Sequence, residues 1–101
     1  MFFTLNDETV TSGNTFTIPD DLPANSRYNT NNLGLEEYFY MRLDVDGAGS
    51  GVITVDNGSG TYHAVDTLTD DYGVYPLGGA RGVKIAASGG NIVVGVKFFN
   101  D

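Results

Sequence analysis

Turn-forming residues interrupt the second half of this chain about every ten residues, and the stretches between them alternate apolar and polar side chains. The turn groups are rich in Gly, Asn, Asp and Ser and occupy residues 47–51, 56–60, 69–71, 78–79 and 88–91. This spacing is typical of antiparallel strands in a β-sandwich or barrel, and it leaves no room for the helices of βαβ units. At 101 residues the chain is long enough for one such domain to bury a core. We therefore predict a single all-β domain over residues 1–101, a compact antiparallel β-sandwich of the jelly-roll type.

The most strongly specified strands lie on either side of residues 88–91. In residues 82–87 Val83 and Ile85 alternate with Lys84, and in residues 92–99 apolar side chains again alternate with others. The Ser-Gly-Gly-Asn sequence between them can adopt the positive φ angles that tight turns need. This pattern predicts a β-hairpin over residues 82–98 that contributes much of the core.

Residues 38–46 form the cleanest single strand. Alternation assigns one face to the core and the other to the surface: Phe39, Met41, Leu43 and Val45 on the first face, and Tyr38, Tyr40, Arg42, Asp44 and Asp46 on the second. Further along, Asn57-Gly58 is a strong hairpin signal between strands at residues 52–55 and 61–68. A short strand at residues 72–75 follows.

The N-terminal residues predict a β-meander. Short alternating stretches at residues 2–5, 9–12 and 15–18 are separated by turn residues at 6–8 and 13–14, and Pro19 ends the last of them.

Residues 19–37 break this rhythm and predict a long Asn-rich loop. Two interpretations remain open: a crossover between sheets, with one helical turn near residues 33–37, or a contact arm. Arg27 and Tyr28, at the middle of the loop, are residue types that anchor protein interfaces.

The chain is acidic, with 13 acidic and five basic residues and a formal net charge of -8. This charge repels phosphate backbones and anionic membranes, so we expect neither nucleic acid nor membrane as a partner; a basic patch on a protein would suit it. No apolar run reaches the length of a membrane span, and the N-terminus does not have the pattern of a signal peptide. There is no Cys, which excludes disulfides and thiolate metal sites.

The residues that carry chemistry form no catalytic pattern, and we expect neither enzymatic activity nor a cofactor. His63 is the single histidine, and the sequence places no Ser or acid as its partner. The paired carboxylates could serve a glycosidase, but the chain is too small for a sugar cleft. Asp44 and Asp46 could offer oxygen ligands to calcium, although the further ligands of an EF-hand loop are absent, and solvated charges at a strand end are favoured.

Surface aromatic residues are the strongest functional signal. The face opposite the core of strand 38–46 carries Tyr38 and Tyr40, and Val93 and Phe99 take the corresponding positions in the last strand. Apolar groups on an outer sheet face indicate contact with another protein. The candidate interface residues are Arg27, Tyr28, Tyr38, Tyr40, Val93 and Phe99.

Short Thr- and Gly-rich strands, the Gly60-Thr61-Tyr62 sequence and the ending at residues 82–94 together resemble the small all-β decoration, or cement, proteins of tailed-bacteriophage heads. The likeness covers roughly residues 38–99. It implies a non-enzymatic homo-oligomer, a dimer or trimer, on the capsid surface of a virion. There it would bind the major capsid protein and bridge neighbouring capsomers. The resemblance brings with it no catalytic or ligand residues.

A second interpretation is a carbohydrate- or receptor-binding sandwich, like a tail-fibre domain, in which Tyr rings stack on sugars. The absence of Trp counts against it.

Overall fold

Eight antiparallel strands build the protein, in a computed structural model that describes residues 2–18, 20–21, 35 and 38–100. The strands are β1 (Phe2–Val10), β2 (Thr15–Ile18), β3 (Tyr40–Gly47), β4 (Ser50–Asp56), β5 (Tyr62–Leu68), β6 (Asp71–Pro76), β7 (Gly82–Ser88) and β8 (Ile92–Phe99). In the described part of the chain, no helix is long and apolar enough to cross a membrane.

The strands form two sheets of four. The first sheet has the order β1-β8-β3-β6 and the second the order β2-β7-β4-β5. The pairs β1·β8, β2·β7, β3·β6 and β4·β5 show that the first half of the chain runs antiparallel beside the second half, as one long ribbon. The ribbon folds over so that β3 also pairs with β8 and β4 with β7. This is the strand order of a jelly roll, which confirms the predicted fold class.

The core lies between the two sheets and is apolar. Every second residue of the central strands points inward and is buried: Met41, Leu43 and Val45 on β3, Ile53 on β4, Val83, Ile85 and Ala87 on β7, and Ile92, Val94, Val96 and Phe98 on β8. Among the described residues none of the buried ones is polar or charged. Burial of each large apolar side chain contributes about 1.5–3 kcal/mol, so this double layer is the main source of stability.

The hairpin predicted over residues 82–98 is wrong in its pairing, although both of its strands exist. β7 lies in the second sheet beside β2 and β4, and β8 lies in the first sheet between β1 and β3. Residues 89–91 therefore cross from one sheet to the other. The alternation is the same in either case, because both strands turn their apolar side chains toward the shared core.

The predicted N-terminal meander is also wrong. β1 runs without a turn from Phe2 to Val10, and its ladder with β8 only shifts register between Leu5 and Glu8, so the polar residues 6–7 form a bulge. The connection after β1 then crosses to the second sheet, because β2 pairs with β7.

The Asn-Gly hairpin is confirmed, since β4 and β5 are adjacent and antiparallel. The Asp56 Oδ1 atom accepts hydrogen bonds from the backbone N–H groups of Gly58 (2.9 Å) and Gly60 (3.0 Å). Both glycines have positive φ, which explains why the turn uses them.

Most of the predicted loop over residues 19–37 lies outside the described residues. At its start the backbone N–H of Asp21 donates to the Thr17 carbonyl, and the Asp21 carboxylate accepts from the Thr17 N–H. Near its end Leu35 is buried in the core, and its carbonyl accepts from the N–H of Tyr38.

Connections between the sheets meet at the end of the sandwich where β3 and β7 end, and Asn91 joins them. Its side-chain Oδ1 accepts a hydrogen bond from Ser12 N (2.9 Å), and its backbone carbonyl accepts one from Gly49 N (3.2 Å). Glycine is needed here because a Cβ atom on Gly49 would collide with the backbone carbonyl of Gly90. The β3–β4 and β7–β8 connections can approach this closely only without side chains.

We predict that Gly49→Ala lowers the free energy of unfolding by about 1–3 kcal/mol, because the backbone of both connections must move. Urea denaturation measures the change. Gly13→Asn is the matched control. No atom lies within 4 Å of a Cβ at Gly13, and Asn tolerates its positive φ. Equal losses for the two variants would contradict the packing argument.

Candidate functional site: the outer face of the first sheet

The outer face of the first sheet is ordered in rows by the register of β8, β3 and β6. Residues directly opposite one another on neighbouring antiparallel strands point to the same face. The rows, from the start of β3 to its end, are Phe99–Tyr40–Pro76, Lys97–Arg42–Val74, Gly95–Asp44–Tyr72 and Val93–Asp46.

This face holds most of the exposed large apolar side chains. The exposed fractions are 40% for Tyr40, 54% for Tyr72 and 52% for Val74, and Phe99 is half-buried beside them. Phe39, which immediately precedes β3, is 61% exposed. We call Tyr40, Tyr72, Val74 and Phe99 the aromatic face. A cluster of this kind on a sheet surface marks an interaction site, whereas single exposed apolar residues do not.

The side chains of the aromatic face are held in place by one another. The rings of Tyr40 and Phe99 stack with centroids 5.6 Å apart. The Arg42 guanidinium lies 4.2 Å from the Tyr72 ring centroid, and its Nη2 atom is 3.3 Å from the Asp44 carboxylate. The hydrogen bond to Asp44 raises the pKa of Arg42 above its ordinary value. Pairing of this kind orders the charged residues before any partner binds.

The outer face of the second sheet is different. Its outward positions on β2, β4, β5 and β7 are mainly small or hydroxylated: Thr15, Thr17, Val52, Thr54, Ala64, Thr67 and Ala86. Tyr62 is the aromatic residue among the outward positions of these four strands, and it lies under the ammonium group of Lys84, 4.2 Å from the ring centroid. The two faces of the sandwich are therefore not equivalent as binding surfaces.

The structure brings three of the predicted interface residues to one face. Tyr40 and Phe99 stack on each other, and half-buried Val93 lies further along β8 in the row of Asp46. Arg27 and Tyr28 lie outside the described residues.

The assignment of Tyr38 to the surface is wrong. Tyr38 is 2% exposed and packs its ring 5.7 Å from that of Phe98 in the core, and Phe39, predicted to be buried, is exposed. The reason is that β3 begins at Tyr40, so strand alternation does not extend back to these two residues. The backbone of Phe39 is held by Asn100 Oδ1, which accepts from its N–H, and by Leu77 N, which donates to its carbonyl.

Tyr72 and Val74 were missed as members of the site. They belong to a short edge strand whose alternation marks them as one face, but only the pairing of β6 with β3 places them beside Arg42 and Asp44. The exposed pair of Tyr and Val at alternate positions was the available signal.

The other group of titratable residues lies at the open edge of the sandwich, where β5 and β6 face each other. The Tyr75 hydroxyl donates a 2.7 Å hydrogen bond to Asp66 Oδ2, which links the two sheets. Burial, together with this bond, raises the pKa of Tyr75 to about 12, and the bond is the main cause of a lowered pKa for Asp66. Tyr75 is therefore a protonated structural donor at neutral pH.

Metal binding finds no support in the described residues. They contain no group of three or more His, Cys, Asp or Glu side chains that could hold an ion. Asp44 is paired with Arg42, and Asp46 is exposed.

Comparison with known proteins identifies the fold only. No protein-family model and no curated protein sequence matches the chain. Among solved structures, the SPBc2 prophage-derived protein YomS is similar, with a TM-score of 0.58 and 11% sequence identity over 97% of this chain and 92% of YomS. A protein from the disulfide-linked pili of Bacillus endospore appendages has a TM-score of 0.47 and 17% identity, covering 100% of this chain and 92% of its own. The chain thus shares the fold of a phage-derived protein.

We predict that Tyr38→Ala and Tyr40→Ala differ in their effect on stability, although the residues are two positions apart. Tyr38→Ala should cost about 3–5 kcal/mol because it leaves a cavity beside Phe98. Tyr40→Ala should cost about 1 kcal/mol because an exposed stacked pair is lost. Denaturant titration of both variants tests this, and similar losses would contradict the placement of Tyr38 in the core.

We further predict a pH-dependent contribution from Tyr75. The lowered pKa of Asp66 means that its ionised form stabilises the folded state above the unfolded pKa of about 3.9, and that this stabilisation disappears as the pH falls through the folded pKa. The raised pKa of Tyr75 stabilises the fold below pH 10, and this is lost as the pH rises toward about 12. Tyr75→Phe should therefore be less stable than the wild type at pH 7.

The difference between wild type and Tyr75→Phe should shrink below about pH 4, as Asp66 becomes protonated. Thermal unfolding from pH 2 to pH 8 measures it, with Tyr72→Phe as an exposed control. A difference that is independent of pH would contradict the role of the Asp66 hydrogen bond.

Proposed function

We propose that this chain is a non-enzymatic structural protein of a virion, a decoration or cement protein that binds the outer capsid lattice and bridges neighbouring capsomers. The observation that carries the proposal is the aromatic face: a cluster of exposed aromatic and apolar side chains on a sandwich whose opposite face is mainly small and polar. In this proposal the face is buried in the assembled particle. The shared fold of the prophage-derived protein is compatible with such a setting.

The fold suits a passive structural role. Its outer strands are tied to a continuous apolar core, and its side chains at the aromatic face are already ordered by stacking and ion pairing. A pre-ordered surface loses little conformational entropy on binding. When many copies bind one lattice, modest contacts sum to a large barrier against separating capsomers.

Two features disfavour the alternative of a carbohydrate-binding module. Sugars stack on an open aromatic ring face, and contacts within the chain already reduce that area: the Arg42 guanidinium lies over the Tyr72 ring, and the Tyr40 ring is stacked on Phe99. The chain also has no Trp.

The proposal predicts that the protein pellets with shells assembled from the major capsid protein of the same phage, and that Tyr40→Ala and Val74→Thr at least halve the bound fraction at sub-saturating concentration. Each removes apolar area from the aromatic face, and Val74→Thr keeps a β-branched side chain on the edge strand. Val65→Thr is the matched control, because Val65 is 43% exposed but lies on β5 of the other sheet.

Failure of the wild type to pellet with these shells would contradict capsid decoration. Binding that Val65→Thr weakens as much as Val74→Thr does would contradict the assignment of the face. The protein should also be titrated with soluble polysaccharides, and a preference for one saccharide would favour the carbohydrate-binding alternative.

A further inference from the structure

The outer side of β3, β6 and β8, which carries the aromatic face, has no net charge although the protein is strongly acidic. Of the outward-pointing side chains of β3, β6 and β8, four are charged, and they balance: Arg42 and Lys97 against Asp44 and Asp46. The whole chain carries a formal charge of -8. Two copies would repel each other through most of their surface. The outward positions of the second sheet are also balanced, with Lys84 against Asp56, so the first sheet is distinguished by balanced charge together with a cluster of exposed apolar side chains.

The charges on the face also have an order. Arg42 and Asp44 are neighbours on the outer side of β3, two residues and therefore about 7 Å apart along the strand. Lys97 lies in the row of Arg42, and Asp46 lies one row beyond Asp44. The positive groups thus occupy the part of the face near the start of β3, and the negative groups occupy the part near its end. A surface with this alternation is complementary to itself when it is turned around.

We propose that a second copy of this chain covers the aromatic face, related by a twofold axis that crosses β3 between Arg42 and Asp44. The inference rests on the proposed function and assigns the aromatic face to the contact between two copies, so that the dimer is the unit that bridges neighbouring capsomers and loss of the face weakens shell binding through loss of the second copy. The two first sheets pack face to face with β3 antiparallel to its counterpart, the aligned arrangement that packed sheets favour. An isologous contact of this kind closes at two copies.

This axis matches the rows of the two copies in chemically sensible pairs. Arg42 of each copy faces Asp44 of the other, which doubles every ion pair formed. Tyr72 faces Val74, on β6 against β6. Phe99 faces Val93, on β8 against β8, and the Tyr40 hydroxyl faces the Asp46 carboxylate. Apolar groups therefore meet apolar groups on β6 and at the Phe99–Val93 pair, opposite charges meet on β3, and Lys97 faces Gly95.

The ion pair inside one copy does not oppose this arrangement. The side chains of Arg42 and Asp44 are 44% and 43% exposed, so each retains unused hydrogen-bonding capacity toward solvent. In the dimer they form a network of four charges around the axis, shielded by the surrounding apolar side chains. Such a network sets register and orientation, while the buried aromatic and Val side chains supply the affinity.

Charge reversal tests the proposal through a rescue that only an intermolecular contact can give. Each copy of Arg42→Asp brings two carboxylates to the axis, and each copy of Asp44→Arg brings two guanidinium groups. A dimer of either variant alone would gather four like charges and should form at least about tenfold more weakly than the wild-type dimer. Both variants lose the ion pair within their own chain. An equimolar mixture should restore a dimer, because each copy of one variant meets two opposite charges on the other.

Sedimentation velocity and light scattering on the full-length chain give the masses, and circular dichroism checks that each variant folds. Lys84→Asp on the second sheet makes the same change in net charge as Arg42→Asp and should leave the dimer intact. If the single variants cannot be purified folded, Val74→Thr provides a second test: it should weaken the dimer, whereas the control Val65→Thr should leave it unchanged.

A wild-type protein that stays monomeric at high micromolar concentration would overturn the proposal. So would reversed variants that dimerise like the wild type, or a mixture that fails to recover the dimer. The outcome is independent of capsid binding. A dimer that ignores shells would contradict the decoration role alone, and a monomer that pellets with shells would overturn the dimer alone.

Discussion

The pairing of β3 with β8 is the contact on which the rest of the molecule depends. It joins the middle of the folded ribbon to its end, over eight residue pairs from Tyr40–Phe99 to Gly47–Ile92. On the inner side this ladder places Met41, Leu43 and Val45 beside the apolar residues of β8, which makes the centre of one core layer. On the outer side the same ladder places Tyr40 beside Phe99 and Arg42 beside Lys97. The register of this ladder therefore determines both the core and the candidate interface, because a slip of a single residue would exchange the inward-pointing and outward-pointing side chains.

The sequence predicted strands better than it predicted their partners. Alternation of apolar and polar side chains every two residues shows which side chains share a face. This was sufficient to predict the all-β sandwich, and the short local turn was sufficient to predict the Asn-Gly hairpin. It does not state whether two consecutive strands share a sheet. Val83 and Ile85 of β7 and Val94 and Val96 of β8 face the same core from opposite sides, a pattern that a hairpin would also produce. Pairing of distant strands such as β1 with β8 depends on packing across the whole domain.

The candidate site, too, was predicted only in part from the sequence. The placement of Tyr40, Val93 and Phe99 on one face follows from alternation once β3 and β8 are neighbours. The alternation within each strand was available from the sequence, whereas the pairing of the two strands came from the structure. Tyr38 and Phe39 were exchanged because alternation holds only inside a strand, and the point at which β3 begins is decided by contacts of the Phe39 backbone with Leu77 and Asn100. Tyr72 could join the site only through the position of β6, which no local pattern specifies.

Charge then decides how such a face can be used. A protein with a formal charge of -8 is kept apart from its own copies by long-range repulsion, which falls off over about 8 Å at physiological ionic strength. Contacts between copies through acidic regions are therefore disfavoured, whereas the four charges on the outer side of β3, β6 and β8 balance one another. In the proposed dimer, the repulsion elsewhere would disfavour competing orientations, and the alternation of Arg42 and Asp44 would select one of those that remain. Under the proposed dimer, the acidic surface and the aromatic face have complementary roles: repulsion between acidic regions disfavours other contacts between copies, and the aromatic face supplies the one contact that remains.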